Sequence, residues 1–125
     1  MNEFKAIGRL IRDPELKFDK YNNPITNFTL AIDKELSKEK RNYLEEKSIP
    51  VCDFVKFIAF GDTAKMIVNY TEKGNRLYAS GRLQTRSYTD DDNCKKYITE
   101  IYVSKIEIID WKKVWFKSIY RDFNW

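Results

Sequence analysis

Three arginines and two tyrosines share one side of the stretch Arg76-Leu-Tyr-Ala-Ser-Gly-Arg-Leu-Gln-Thr-Arg-Ser-Tyr88. Leu77, Ala79, Gly81, Leu83 and Thr85 take the other side, with Arg76, Tyr78, Ser80, Arg82, Gln84, Arg86 and Tyr88 between them. Alternation with period two predicts a strand with one buried and one wet face. A second stretch, residues 51–60, sets Val55, Phe57 and Ala59 against Phe54, Lys56, Ile58 and Phe60. A lysine between two phenylalanines does not belong deep in a core, so this face is expected to show two rings with a cation between them. Cations and π-faces on an exposed sheet suit a chain of phosphates and bases. The same residues also fit a solvated sheet face, or one covered by a neighbouring subunit.

Other chemistry is poorly supplied. Histidine is absent, which removes the commonest general acid/base and the commonest metal ligand. The two cysteines, Cys52 and Cys94, are too few and too far apart for a zinc site and fit free thiols in a reducing cytoplasm. Asp90-Asp-Asp92, followed by Asn93, reads as a polar hairpin tip rather than a metal site. Glycines at 8, 61, 74 and 81 match no phosphate-binding loop. An enzyme is not expected, nor a cofactor or a metal. With 125 residues, one domain is expected, and the formal charge of +4 agrees with a polyanionic partner without requiring one. No apolar run reaches membrane-spanning length, and the first residues lack a signal-peptide pattern.

The elements that must position these residues follow along the chain. Residues 3–12 read as a first strand, with Phe4, Ala6, Gly8 and Leu10 on one side and Gly8 marking a bulge or tight bend. Asp13-Pro14 breaks it, and Tyr21-Asn-Asn-Pro24 is a turn. Residues 25–35 form a second strand and 51–60 a third. Between them, residues 36–50 are densely charged and without periodicity, and read as a long mobile hairpin arm. Asp62 is expected to cap a short helix with Ala64, Met66, Ile67 and Tyr70 at helical spacing, stopped at Lys73-Gly74. The fourth strand is the opening stretch, residues 90–96 a polar loop, and residues 97–109 a bulged fifth strand. Strand, strand, strand, helix, strand, strand is the layout of an all-β protein, the five-stranded OB-fold Greek-key barrel.

Several segments together carry a resemblance: Ile7-Gly-Arg-Leu-Ile-Arg-Asp-Pro-Glu15, Thr26-Asn-Phe-Thr-Leu-Ala31, Asp53 to Gly61, Tyr70-Thr-Glu-Lys-Gly74 and Gly81-Arg-Leu-Gln-Thr-Arg-Ser-Tyr88. In that order and spacing, over about residues 2–110, the chain resembles the bacterial-type single-stranded-DNA-binding proteins, including phage and mobile-element members. The resemblance implies that Phe54, Phe60 and Tyr88 stack bases, and that Arg9, Lys56, Lys73, Arg82 and Arg86 meet phosphates. Arg82 lies where the family can also pack subunits. A fourth ring commonly starts the long arm; here Leu36 stands there, and Tyr43 is the nearest ring that could compensate. The resemblance further implies a homo-oligomer, a tetramer or a dimer paired through the first strand, acting in replication, recombination or repair.

The chain divides into an expected OB-fold domain over residues 1–110 and a segment over 111–125. Cellular members of the family end in an acidic tip that recruits other enzymes. Here residues 112–125 hold Lys112, Lys113, Lys117 and Arg121 against Asp122, a net of +3. Trp111, Trp115, Ile119 and Phe123 recur every four residues, which predicts a short helix; packing on the barrel or between subunits is the favoured role, with contact to DNA or to a partner protein as the alternatives. Recruitment through an acidic tip is therefore not expected. Two other functions fit the same residues: an OB-fold adaptor in a primosome or recombination complex acting through protein contacts, and a single-stranded-RNA binder.

Overall fold

The computed structural model describes residues 1–113. Its strands are β1 (Phe4–Leu10), β2 (Lys17–Phe18), β3 (Pro24–Asp33), β4 (Cys52–Phe60), β5 (Arg76–Thr89) and β6 (Lys95–Ile108). Helix α1 (Lys38–Glu46) lies between β3 and β4, and α2 (Gly61–Tyr70) between β4 and β5. The predicted segment helix over Trp111, Trp115, Ile119 and Phe123 falls, beyond residue 113, outside the described residues.

One sheet runs β1-β5-β6-β4-β3-β2, and β1 also pairs with β3 through Arg9↔Ala31 and Leu10↔Leu30. The sheet therefore curls back on itself, in the strand order of an OB-fold. Two glycines sit where backbones approach too closely for a side chain. A Cβ on Gly8 would lie 2.8 Å from the Ala31 carbonyl oxygen, at the point where β1 meets β3. A Cβ on Gly81 would lie 2.1 Å from the Tyr102 carbonyl oxygen. Beside Gly81 the register jumps from Ser80↔Lys105 to Gly81↔Val103, which leaves Ser104 as the extra residue of a bulge on the last strand.

The core faces are those the alternation predicts up to Gly81, but Leu83 and Thr85, on the expected buried side, are exposed, and Ile58, on the side of Phe54 and Lys56, is buried. Leu10, Phe28, Leu30, Phe57, Ala59, Leu77, Ala79 and Ile101 are buried. Phe57 stacks on Phe28 with centroids 5.2 Å apart and meets Phe4 edge-on at 5.8 Å. Such ring pairs add about 0.5–1.5 kcal/mol each beyond the area they bury. Ala64 and Ile67 of α2 join this core.

Four expectations are corrected. The arm over residues 36–50 is not structureless: Ser37 Oγ accepts from the Lys40 amide, and α1 follows. No residue of α1 is buried, so it lacks the apolar stripe that betrays most helices. A sixth strand exists, because Lys17 and Phe18 pair with Ile25 and Pro24. Asp62 does not cap α2; Phe60 occupies the cap position without a side-chain bond, and Asp62 sits in the first turn. Nor does Gly74 end α2. Thr71 does, its amide and hydroxyl both donating to the Ile67 carbonyl. Gly74, at φ +89°, shapes the turn that follows.

Candidate nucleic-acid interface

The outer side of β3 and β4 is set by their register. Ala31, Thr29, Asn27 and Ile25 lie opposite Phe54, Lys56, Ile58 and Phe60. Residues directly opposite share a face, so the two rings and the cation between them stand on one surface. Arg9 pairs with Ala31 on one side and with Arg76 on the other. Arg9 is therefore two strands from Phe54, roughly 10 Å at normal strand spacing.

Phe54 is 61% exposed. Phe60 is half-buried because Tyr102 covers it, with centroids 5.2 Å apart and planes at 27°. The Arg82 guanidinium lies 4.9 Å from the same tyrosine ring. Phe60, Tyr102 and Arg82 thus form a continuous ring–ring–cation column across β4, β6 and β5. Tyr102 was not singled out from the sequence. Its place follows from the parallel pairing of Ile58 with Tyr102, which no local pattern reports.

β1 leaves β5 after Gly81 and β4 pairs with β6 only at Ile101 and Tyr102, so beyond Leu83 the two strands β5 and β6 run on as a two-stranded hairpin. Its tip is tied by the Asp90 carboxylate, which accepts from the Asp92 and Cys94 amides at 3.0 and 2.9 Å. That carboxylate is thereby engaged in shaping the turn. Tyr88 lies on this hairpin, opposite Lys96, and is 45% exposed. Arg86 Nε donates to Glu100 Oε1 at 2.6 Å, and Glu100 is only 3% exposed. A groove of about 330 Å³ runs between hairpin and barrel, lined by Arg12, Asn27, Thr29, Lys56, Arg86 and Glu100 among others. Arg12, like Tyr102, was not singled out from the sequence.

The cations differ in how free their charge is. Among the described residues Lys56 and Lys73 make no ion pair, and both are exposed. Arg86 is held by Glu100. Arg9 donates to the Gly74 carbonyl at 3.0 Å and lies 3.8 Å from Asp110. Arg76 holds Asp110 through its side chain and its own amide. The Arg76 side-chain bond is the main reason the Asp110 carboxyl lies below its ordinary range, with the Arg76 amide helping and burial opposing. The same bond raises Arg76.

The structure thus brings Phe54, Lys56 and Phe60 onto one face, with Arg82 joined to it through Tyr102. Arg86 and Tyr88 flank that face from the hairpin. Arg9 and Lys73 lie together in a separate depression with Glu72, Asn75 and Asp110, at the far end of the row that reaches Phe54. Leu36 is half-buried at the start of the arm. Tyr43 stands exposed on α1, with Lys47 Nζ 5.8 Å from its ring.

Comparison with known proteins gives a consistent picture. The family model described as the single-strand binding protein family matches residues 1–109. A single-stranded DNA-binding protein of Clostridium tetani is 37% identical over 112 residues, which are 89% of this chain and 72% of that protein. Single-stranded DNA-binding protein 2 of Clostridium acetobutylicum is 37% identical over 114 residues, covering 90% and 80%. Single-stranded DNA-binding protein 1 of the same organism is 34% identical over 114 residues, covering 90% and 97%. With the family model matching nearly its whole length, the chain belongs to the single-strand binding protein family.

Proposed function

We propose that this protein binds single-stranded DNA largely without regard to sequence, and protects it during replication, recombination or repair, without catalysing a reaction. The observation that carries this reading is the outer face of β4: Phe54 open to solvent, Phe60 stacked on Tyr102, and the exposed Lys56 between them. Rings accept any base by stacking, worth about 1–3 kcal/mol per base. Lys56 and Lys73, with the positioned guanidiniums of Arg9, Arg82 and Arg86, neutralise the backbone on either side. Tyr88 adds a third platform from the hairpin. Leu36 cannot stack, so the grip is weaker where the arm begins. The OB-fold domain over residues 1–110 supplies this surface, and the basic, aromatic segment 111–125 follows it in sequence. No helix among the described residues is long and apolar enough to cross a membrane.

Phe4 to Gly8 pair with β5 on one edge only, since β1 meets β3 at Arg9 and Leu10 alone. An unpaired strand edge invites a second copy, which supports a homo-oligomer, most simply a tetramer built from two dimers, each joined through β1. The test of function is a titration with a thymidine oligomer. Phe60→Ala combined with Tyr88→Ala is expected to lower affinity without unfolding the protein; unchanged affinity counts against the face. Matched RNA and DNA oligomers in competition separate the two polymers.

A further inference from the structure

The hairpin that carries Tyr88 has a second face. Leu83 lies opposite Ile101, Thr85 opposite Thr99 and Ser87 opposite Tyr97, all pointing away from the side of Arg86 and Tyr88. Tyr97 is 66% exposed and Leu83 50%. Both line a groove of about 320 Å³ whose other wall is the exposed ring of Phe54. Three large apolar side chains left open around one groove mark a binding surface.

The chemistry of the groove limits what fits it. Lys56 stands in its wall, and Lys95 Nζ lies 5.6 Å from the Tyr97 ring. Thr99 and Glu100 interrupt the apolar lining, so it does not offer the unbroken apolar surface that a partner helix needs. Two open rings with cations beside them suit a flat aromatic group that carries a phosphate. The groove also continues into the one described above, for Lys56, Ile98 and Glu100 line both.

Resting on the single-stranded-DNA reading, we infer that the Phe54–Tyr97 groove is a further base-binding subsite and that Tyr97 is its stacking platform. A strand leaving the face of β4 passes the root of the hairpin and places one more base between the barrel and the hairpin's second side. The hairpin then has a ring for each side, Tyr88 on one and Tyr97 on the other.

The test uses the full chain and a labelled thymidine oligomer, followed by fluorescence anisotropy. Loss of one stacked base is about a five- to hundred-fold loss of affinity for Tyr97→Ala; Tyr97→Phe is expected to bind as the parent does. An oligomer carrying iododeoxyuridine is expected to photocross-link the parent protein at Tyr97, which keeps the inference testable even if Tyr97→Ala folds poorly. Phe60→Ala serves as the reference. If Phe60→Ala loses affinity while Tyr97→Ala does not, and no cross-link forms at Tyr97, the subsite is overturned and the broader reading stands. If the parent does not bind the oligomer, both are overturned. If Tyr97→Ala changes the mass by light scattering but not the affinity, the groove belongs to a second copy of the chain and the subsite is overturned.

Discussion

The two halves of β5 have the same alternation and opposite fates. From Arg76 to Gly81 the strand is flanked by β1 and β6, and Leu77, Ala79 and Gly81 are buried. From Arg82 onward β1 is gone. Its last pair is Phe4↔Gly81, and the Asn2 side chain then takes over, donating to the Leu83 carbonyl at 2.7 Å and accepting the Leu83 amide at 2.8 Å. Leu83 and Thr85, on the same parity as Leu77, are exposed rather than buried. Alternation tells which residues share a side; it does not tell whether that side has an interior behind it. The half with two neighbours builds the barrel, and the half with one neighbour is left with both faces open to a ligand.

The sharpest way to break this contrast is to make the same change in each half. Leu77→Ala is expected to cost about 2–5 kcal/mol by denaturant unfolding, because a fully buried leucine leaves a cavity. Leu83→Ala is expected to stay within about 0.5 kcal/mol of the parent. Equal costs would mean that the hairpin folds against something the barrel alone does not supply. At the boundary, Gly81→Ala forces a methyl group onto the Tyr102 carbonyl and is expected to cost about 1–3 kcal/mol in the same measurement. Within the open half, Arg86→Ala leaves the buried Glu100 carboxylate with the weaker Gln84 contact at 3.3 Å. A loss of about 1–3 kcal/mol in thermal unfolding is expected, with full rescue in the Arg86→Ala, Glu100→Leu double variant counting as support.

A further small effect is expected at the root of β5, and it depends on pH. Asp110 has a carboxyl below its ordinary range in the folded chain, chiefly through the Arg76 side chain. In the window between its folded and ordinary values the unfolded chain binds more protons, so stability rises with pH there. The Arg76–Asp110 contribution is thus whole above the ordinary carboxylate range and is lost as pH falls through the lowered value. Asp110→Asn is expected to flatten that part of an acid-unfolding curve. It should leave the hairpin amides unaffected in hydrogen exchange.

Much of the barrel was legible because its signals are local. Phe4, Ala6, Gly8 and Leu10 do face inward, as do Phe28, Leu30, Phe57 and Ala59, and Ala64 and Ile67 do anchor a helix on them. Helix α1 was missed because its support is not apolar. Ser37 followed by Lys, Glu, Lys and Arg was the available signal, an N-cap ahead of good helix formers. The candidate interface was legible in part. Phe54, Lys56 and Phe60 share a strand face by parity, whereas Tyr102 enters through a parallel pairing between distant segments, and Arg12 through the fold of the groove.

From the order of its residues alone, this chain determines its five long strands, which residues share a side of each, and the rings and cations proposed to meet an unpaired nucleic acid. Those follow from backbone geometry repeated every two or 3.6 residues, which any short window contains. Tertiary structure alone decided that β1 stops short of Leu83, that Tyr102 backs Phe60, and that Glu100 holds Arg86. Each depends on which strands become neighbours, a choice made by the burial of the whole core rather than by any one segment.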